Sequence, residues 1–128
     1  MPIVGDDPHI THLHDDVYRL HDDLHYNDLK TGKHHFVHAP FDWDLGSVLE
    51  FIPRFIVPHG DEMTYPSALH DKYYTTMEVP RREADAVFRR FLIEEGMSKT
   101  RATLAWLAVR LNLYAEIKWK RDFSLKLW

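Results

Sequence analysis

The stretch that decides the fold reads Tyr65-Pro66-Ser67-Ala68-Leu69-His70-Asp71-Lys72-Tyr73-Tyr74 and, after a short break, Pro80-Arg81-Arg82-Glu83-Ala84-Asp85-Ala86-Val87-Phe88-Arg89-Arg90-Phe91. Proline suits the first turn of a helix, where its missing N–H would go unpaired in any case, so Pro66 and Pro80 each predict a helix start. Two helices joined by so few residues run nearly antiparallel. On the first, Ala68, Leu69 and Tyr73 face the core, while His70 and Tyr74 share another face at helical spacing. On the second, Ala84, Val87, Phe88 and Phe91 form the apolar stripe and Asp85 lies beside it. His70 and Asp85 are therefore expected to meet across the pair. A buried imidazole needs a partner for its ring N–H, and a carboxylate is the strongest one on offer. Such a pair reads either as a structural hydrogen bond or as a catalytic or metal-binding site.

With 128 residues, 45% of them hydrophobic and 13% aromatic, the chain fits one folded domain. A net charge of −4 argues against general nucleic-acid binding, which needs a basic surface against the phosphates. The absence of cysteine removes disulfides, thiolate metal sites and cysteine nucleophiles together, and suits a protein made in a reducing cytoplasm. No apolar run approaches the length of a membrane span, and the acidic start Met1-Pro2-Ile3-Val4-Gly5-Asp6-Asp7 is unlike a signal peptide.

Ten histidines are the unusual feature of the composition, and most precede residue 39. His12-Leu13-His14 and His34-His35-Phe36-Val37-His38 have spacings that chelate a transition metal, imidazole being a common neutral ligand. In a strand, His12 and His14 point to one face, and a trimer would gather such pairs about an axis. The other reading is a set of solvated histidines on an exposed hairpin.

Around the central helices the pattern is mixed. Residues 1–12 carry Pro2, Gly5 and Pro8 without a period and read as an extended arm that orders against a partner. Val17, Tyr18, Leu20, Leu24 and Tyr26 predict a strand, the polar turn from Asn27 to Lys33 contains Gly32, and His34 to Ala39 runs back as the second strand of a hairpin. Pro40 to Gly46 reads as a loop, and Ser47-Val48-Leu49-Glu50 is a capping-box signal opening a short helix that stops before Pro53. Gly96 suits the end of the second central helix, and Ser98 the cap of a third, whose Leu104, Leu107, Ala108 and Leu111 predict a core stripe flanked by Arg101 and Arg110. The expected architecture is α+β in a single domain, with an N-terminal β-hairpin packed on a bundle of three main helices. Residues 1–15 form the arm, 16–112 the core and 113–128 an apolar C-terminal extension.

In this order, Phe41-Asp42-Trp43-Asp44-Leu45-Gly46-Ser47-Val48, Ile52-Pro53-Arg54, Ala68-Leu69-His70-Asp71-Lys72-Tyr73-Tyr74 and Arg81-Arg82-Glu83-Ala84-Asp85-Ala86-Val87-Phe88 resemble a domain-of-unknown-function family of tailed bacteriophages and prophages, DUF1353. That family typically shows Phe-x-Thr-Asp-x-Ala-Ser-Ile/Val, Pro-Arg, Ala-Ala-x-x-His-Asp-x-x-Tyr and Arg-x-x-Ala-Asp-x-x-Phe. The resemblance covers about residues 17–112. Trp43 stands where the family usually has Thr, Gly46 where it has Ala, and extra residues separate Val48 from Pro53, so the loop departs most. The resemblance implies a phage protein, a virion or tail component made in the host cytoplasm, whose partners are other virion proteins or further copies of itself.

His70-Asp71 followed by Tyr74, with Asp85 on the next helix, is also similar to the catalytic helix pair of secreted phospholipases A2. That likeness implies His70 as general base, Asp71 as a calcium ligand, and Tyr74 and Asp85 as groups orienting His70. The glycine-rich calcium loop and the disulfide frame of those enzymes are absent, so Asp42 or Asp44 would stand in as calcium ligands. The substrate implied is an envelope lipid or another cell-envelope ester or amide. Against this stands a structural network in which Asp44 and Ser47 cap the short helix and Arg54 or Arg81 pairs with Asp71 or Asp85. Two functional classes follow: a structural or assembly protein of a phage tail, and a small metal-dependent hydrolase. An open cleft reaching His70 favours the hydrolase; a sealed His70 linked to arginine favours the network.

Overall fold

Two prolines and one glycine set the helix boundaries where the sequence places them. The computed structural model describes Ile3 and residues 8–15, 17–44 and 61–111. The first central helix, α1, spans Thr64–Thr76 behind a short 3₁₀ turn at Asp61–Met63, and Pro66 lies in its first turn. It ends at Met77, whose left-handed backbone (φ 57°) returns its N–H to the Tyr73 carbonyl. Helix α2 spans Arg81–Glu94, and Pro80 is its cap residue rather than a member of its first turn. Gly96, at φ 112°, closes α2 while the Met97 N–H bonds back to the Leu92 carbonyl at 3.0 Å. Helix α3 spans Lys99–Arg110, and the Ser98 hydroxyl accepts from the Arg101 N–H at 3.2 Å.

The N-terminal half holds more β-structure than one hairpin. Strand β1 is Ile10–His14, β2 Val17–Leu20, β3 Leu24–Asn27, β4 His34–Val37 and β5 Phe41–Asp44. All pairings are antiparallel, in one sheet ordered β1-β2-β5 and a second made by the β3-β4 hairpin. The strand expected from Val17 to Tyr26 is thus broken in two. At the break the Asp22 carboxylate accepts from the His9 N–H at 3.0 Å and the Asp23 carboxylate from the Ala39 N–H at 2.8 Å, so the chain turns a corner there and enters the second sheet. The loop expected after Pro40 is strand β5. Trp43 is buried there and its indole N–H bonds the Ser67 hydroxyl of α1 at 3.0 Å, while Asp42 and Asp44 face outward. Part of the expected arm orders against this same chain: Ile10 pairs with Leu20, and Ile3 bridges Tyr26.

One continuous core joins both sheets to α1 and α2 through Leu20, Leu24, Tyr26, Val37, Trp43, Leu69, Tyr73, Val87 and Phe91. A second cluster of Met63, Phe88, Leu92, Met97, Ala102, Ala105 and Val109 seats α3 on α2. Here the sequence reading of α3 is corrected. Leu104, Leu107 and Leu111 are 39%, 38% and 77% exposed, and the buried face is Ala102, Ala105 and Val109, with Ala108 partly covered. Small side chains let α3 lie close against Phe88 and Leu92, and that close approach turns the leucines outward. The molecule is a single α+β domain. The short helix expected from Ser47, with Arg54 after it, and the extension at 113–128 lie outside the described residues.

Candidate functional site

His70 on α1 and Asp85 on α2 meet as the antiparallel pair predicts. The distance from His70 Nε2 to Asp85 Oδ1 is 2.7 Å, and the residues are 4% and 0% exposed. Since a carboxylate only accepts, Nε2 carries the proton. The Tyr74 hydroxyl, one helical turn beyond His70, donates to the same Oδ1 at 2.6 Å. Arg110, in the last turn of α3, donates from Nη1 to Asp85 Oδ2 at 3.0 Å. Burial by itself pushes the Asp85 carboxyl up, but the hydrogen bond and charge of His70, then Tyr74 and Arg110, outweigh it and hold the group below its ordinary range. Burial, with Asp85 alongside, pushes the Tyr74 phenol well up, so it stays a donor.

Arg81 supplies the remaining link. Its Nε donates to the Tyr74 oxygen at 3.1 Å, and its Nη2 donates to the carbonyls of Val109 and Arg110 at 2.6 and 3.4 Å. Those carbonyls end α3 and lack partners within their own helix, and a cation is favoured at that negative end. His70 and Tyr74 of α1, Arg81 and Asp85 of α2 and Arg110 of α3 thus form one connected network. The His70 ring is packed between Tyr74 and Phe88, with centroids at 4.2 and 4.6 Å.

Of the sequence candidates, the structure brings together His70, Tyr74, Asp85 and Arg81. The arginine on Asp85 is Arg110, which sequence reading placed only as a flank of the α3 stripe. The signal was chain direction: three antiparallel helices joined by short turns return the end of α3 to the start of α2. Asp71 is half-buried on α1 and Asp44 is exposed at the end of β5. Asp42 is closed in a two-pronged pair with Arg19, at 2.8 and 3.0 Å. Among the described residues no group of three or more His, Asp or Glu side chains is gathered to hold an ion. A shallow depression lined by Glu62, Gly96, Met97, Ser98 and Arg101 shares no residue with the network. His12 and His14 are separated by a bulge in β1; His12 bonds the Asp15 carbonyl, and His14 stands 3.7 Å from the Asp15 carboxylate.

A second buried polar group corrects the reading of His34-His35-Phe36-Val37-His38 as a chelating or solvated run, since its middle histidine faces the core. His35 on β4 is 1% exposed, its Nδ1 lies 2.5 Å from the Tyr73 hydroxyl, and its Nε2 has no hydrogen-bond partner among the described residues. Burial, then the charge of Lys33, pulls its pKa down to about 4. Beside it the Tyr26 hydroxyl donates to Glu94, and the fully buried Asp28 pairs with Arg90 at 2.7 Å.

The model of a protein family described as of unknown function, DUF1353, matches residues 18–109. The chain belongs to the DUF1353 family. The match runs from Tyr18 in β2 to Val109 in the last turn of α3, so in this DUF1353 protein it takes in strands β2 to β5, the helices up to Val109 and every member of the network except Arg110, one residue beyond it. No curated protein and no solved structure matches the chain. No helix among the described residues is long and apolar enough to cross a membrane.

Proposed function

We propose that the chain is a structural component of a bacteriophage particle, a virion-associated protein of the tail that acts by contacting neighbouring subunits. The observation that carries this reading is the closure of the His70–Asp85 pair: 4% and 0% exposed, with Asp85 salt-linked to Arg110. A pair so enclosed, both oxygens of its carboxylate already accepting from the surrounding helices, holds those helices together. Surfaces for neighbours are present elsewhere. Strand β1 lies at a sheet edge with Thr11, His12, Leu13 and His14 exposed, and α3 offers Leu104, Leu107 and Leu111. The phage setting rests on the order of the motifs quoted above. Mass spectrometry of gradient-purified particles from a lysogen carrying the gene tests it. The protein is expected in fixed stoichiometry with the tail proteins, and deletion of the gene is expected to yield particles lacking tails; intact, infectious particles without the protein would refute the assignment.

One observation favours a second reading. Asp85 Oδ1 accepts from both His70 Nε2 and the Tyr74 hydroxyl, which is how a general base is oriented in a calcium-dependent hydrolase of the phospholipase A2 kind. In that reading His70 is the base and Asp71 a calcium ligand, with Asp44 or Asp42 beside it, and an envelope lipid is the substrate. Calcium needs six or more oxygens, and the described residues do not assemble such a set. Fatty-acid release from bacterial phospholipid vesicles decides between the two. Calcium-dependent turnover lost in folded His70→Ala and Asp71→Asn would establish the hydrolase; its absence from the native chain removes it.

A further inference from the structure

The β3-β4 hairpin alternates strictly between its faces. Leu24, Tyr26, His35 and Val37 are buried, while His25, Asn27, His34 and Phe36 lie on the outer face. On that face His25 and His34 are diagonal neighbours across the strands, with His25 Nδ1 and His34 Nε2 2.9 Å apart and ring centroids at 5.1 Å. The other nitrogen of His34, Nδ1, lies 2.6 Å from the side-chain oxygen of Asn27. An amide oxygen only accepts, so Nδ1 of a neutral His34 carries the proton and Nε2 presents its lone pair toward His25.

We propose that His25 and His34 form a two-histidine chelate for one divalent transition-metal ion of the borderline class, copper(II), nickel(II) or zinc(II), with Asn27 holding His34 in the ligating tautomer. The geometry fits the chemistry. Metal–imidazole bonds of about 2.0–2.1 Å at angles near 90–110° place two ligand nitrogens roughly 2.9–3.4 Å apart, and the hairpin already holds them at 2.9 Å. An ion therefore takes the place of the shared proton, which passes through water to His25 Nε2, so that both rings bind as neutral imidazoles. Asn27 supplies the outer hydrogen bond that metal-bound imidazoles characteristically make. Water completes the coordination, since no third His, Asp or Glu joins the pair among the described residues. Imidazole donors select copper(II) first, by the general order of stability of divalent ions. The site is distinct from the sequence candidate at His12 and His14, where the bulge in β1 and the bond from His12 to the Asp15 carbonyl disrupt a shared face.

The test is calorimetric titration of the untagged full chain with copper(II) and zinc(II), together with amide-resolved NMR under substoichiometric copper(II). The tightest equivalent is expected to bind copper(II) more strongly than zinc(II) and to broaden the amides of β3 and β4 first. It should weaken at least tenfold in His25→Gln and in His34→Gln, both checked for folding by circular dichroism. Asn27→Ala should weaken it about tenfold, the lower end of the usual loss when an outer partner is removed. His12→Gln combined with His14→Gln should leave it unchanged. A tightest site that survives both hairpin substitutions, or that disappears with His12 and His14, overturns the proposal.

Discussion

At the scale of single residues, the two buried histidines face opposite conditions. His70 gives its Nε2 proton to a carboxylate that three donors keep charged. Among the described residues His35 has only the Tyr73 hydroxyl as a partner, and its second nitrogen makes no hydrogen bond. Charging His35 would place a cation inside the domain with Lys33 near it, so the fold holds this ring neutral, with a pKa near 4 against an ordinary value of 6.5. The sign follows from linkage. The unfolded chain takes up a proton at His35 below about pH 6.5 and the folded chain does not until about pH 4, so stability is complete above the first value and falls through that window. A depression of this size corresponds to about 3 kcal/mol. Urea unfolding between pH 7 and pH 4 should show that loss, and in His35→Phe the slope over the same window should largely flatten; an equally steep slope in the variant would contradict the assignment.

At the scale of elements, the hairpin is latched to α2 by its own turn. Asp28 takes the Lys30 N–H at 3.1 Å and bonds Arg90 of α2 at 2.7 and 2.9 Å, while its backbone closes the turn with Gly32 and Lys33. Burial pushes the Asp28 carboxyl up, but Arg90 and Thr31 outweigh it and the group stays charged. Removing Arg90 leaves a fully buried carboxylate without its cation, so Arg90→Ala should cost about 3 kcal/mol in chemical denaturation; a loss under about 0.5 kcal/mol, the scale of an exposed pair, would show that the latch does not hold.

The same elements show what could be read from the chain alone. Pro66, Pro80, Gly96 and Ser98 each act through backbone chemistry confined to one turn, so the helix ends were legible. The meeting of His70 with Asp85 followed from helical spacing and one short connection. Strand β5 was hidden because Pro40 and Gly46 punctuate like a loop, although Phe41 and Trp43 alternate with Asp42 and Asp44 as a strand does. On α3, hydropathy ranks leucine above alanine, whereas close approach to α2 selects Ala102 and Ala105. That preference belongs to the neighbour and is not written in α3. Arg110 was missed for the same reason: its target lies a whole helix away.

For the molecule as a whole, the network and the two apolar clusters perform complementary tasks. One cluster joins the sheets to α1 and α2, the other seats α3 on α2, and Tyr18 packs against both. The polar network runs through all three helices, with the Asp85 carboxylate at its centre and Arg81 and Arg110 fastening it to the end of α3. Its direction with pH is set by Asp85. Because the folded carboxyl titrates below its unfolded value, the stability it contributes is present above about pH 4 and lost as pH falls through the lower folded value. In the structural role proposed above, these groups clamp the helices and turn over no substrate. The most direct test is the unfolding free energy of Asp85→Asn at neutral pH, with vesicle hydrolysis measured on the same samples in calcium. The clamp predicts a loss of about 3 kcal/mol, as Arg110 is left facing an uncharged amide, and no hydrolysis in either protein. A variant as stable as the native chain, or native hydrolysis that the variant abolishes, would contradict it.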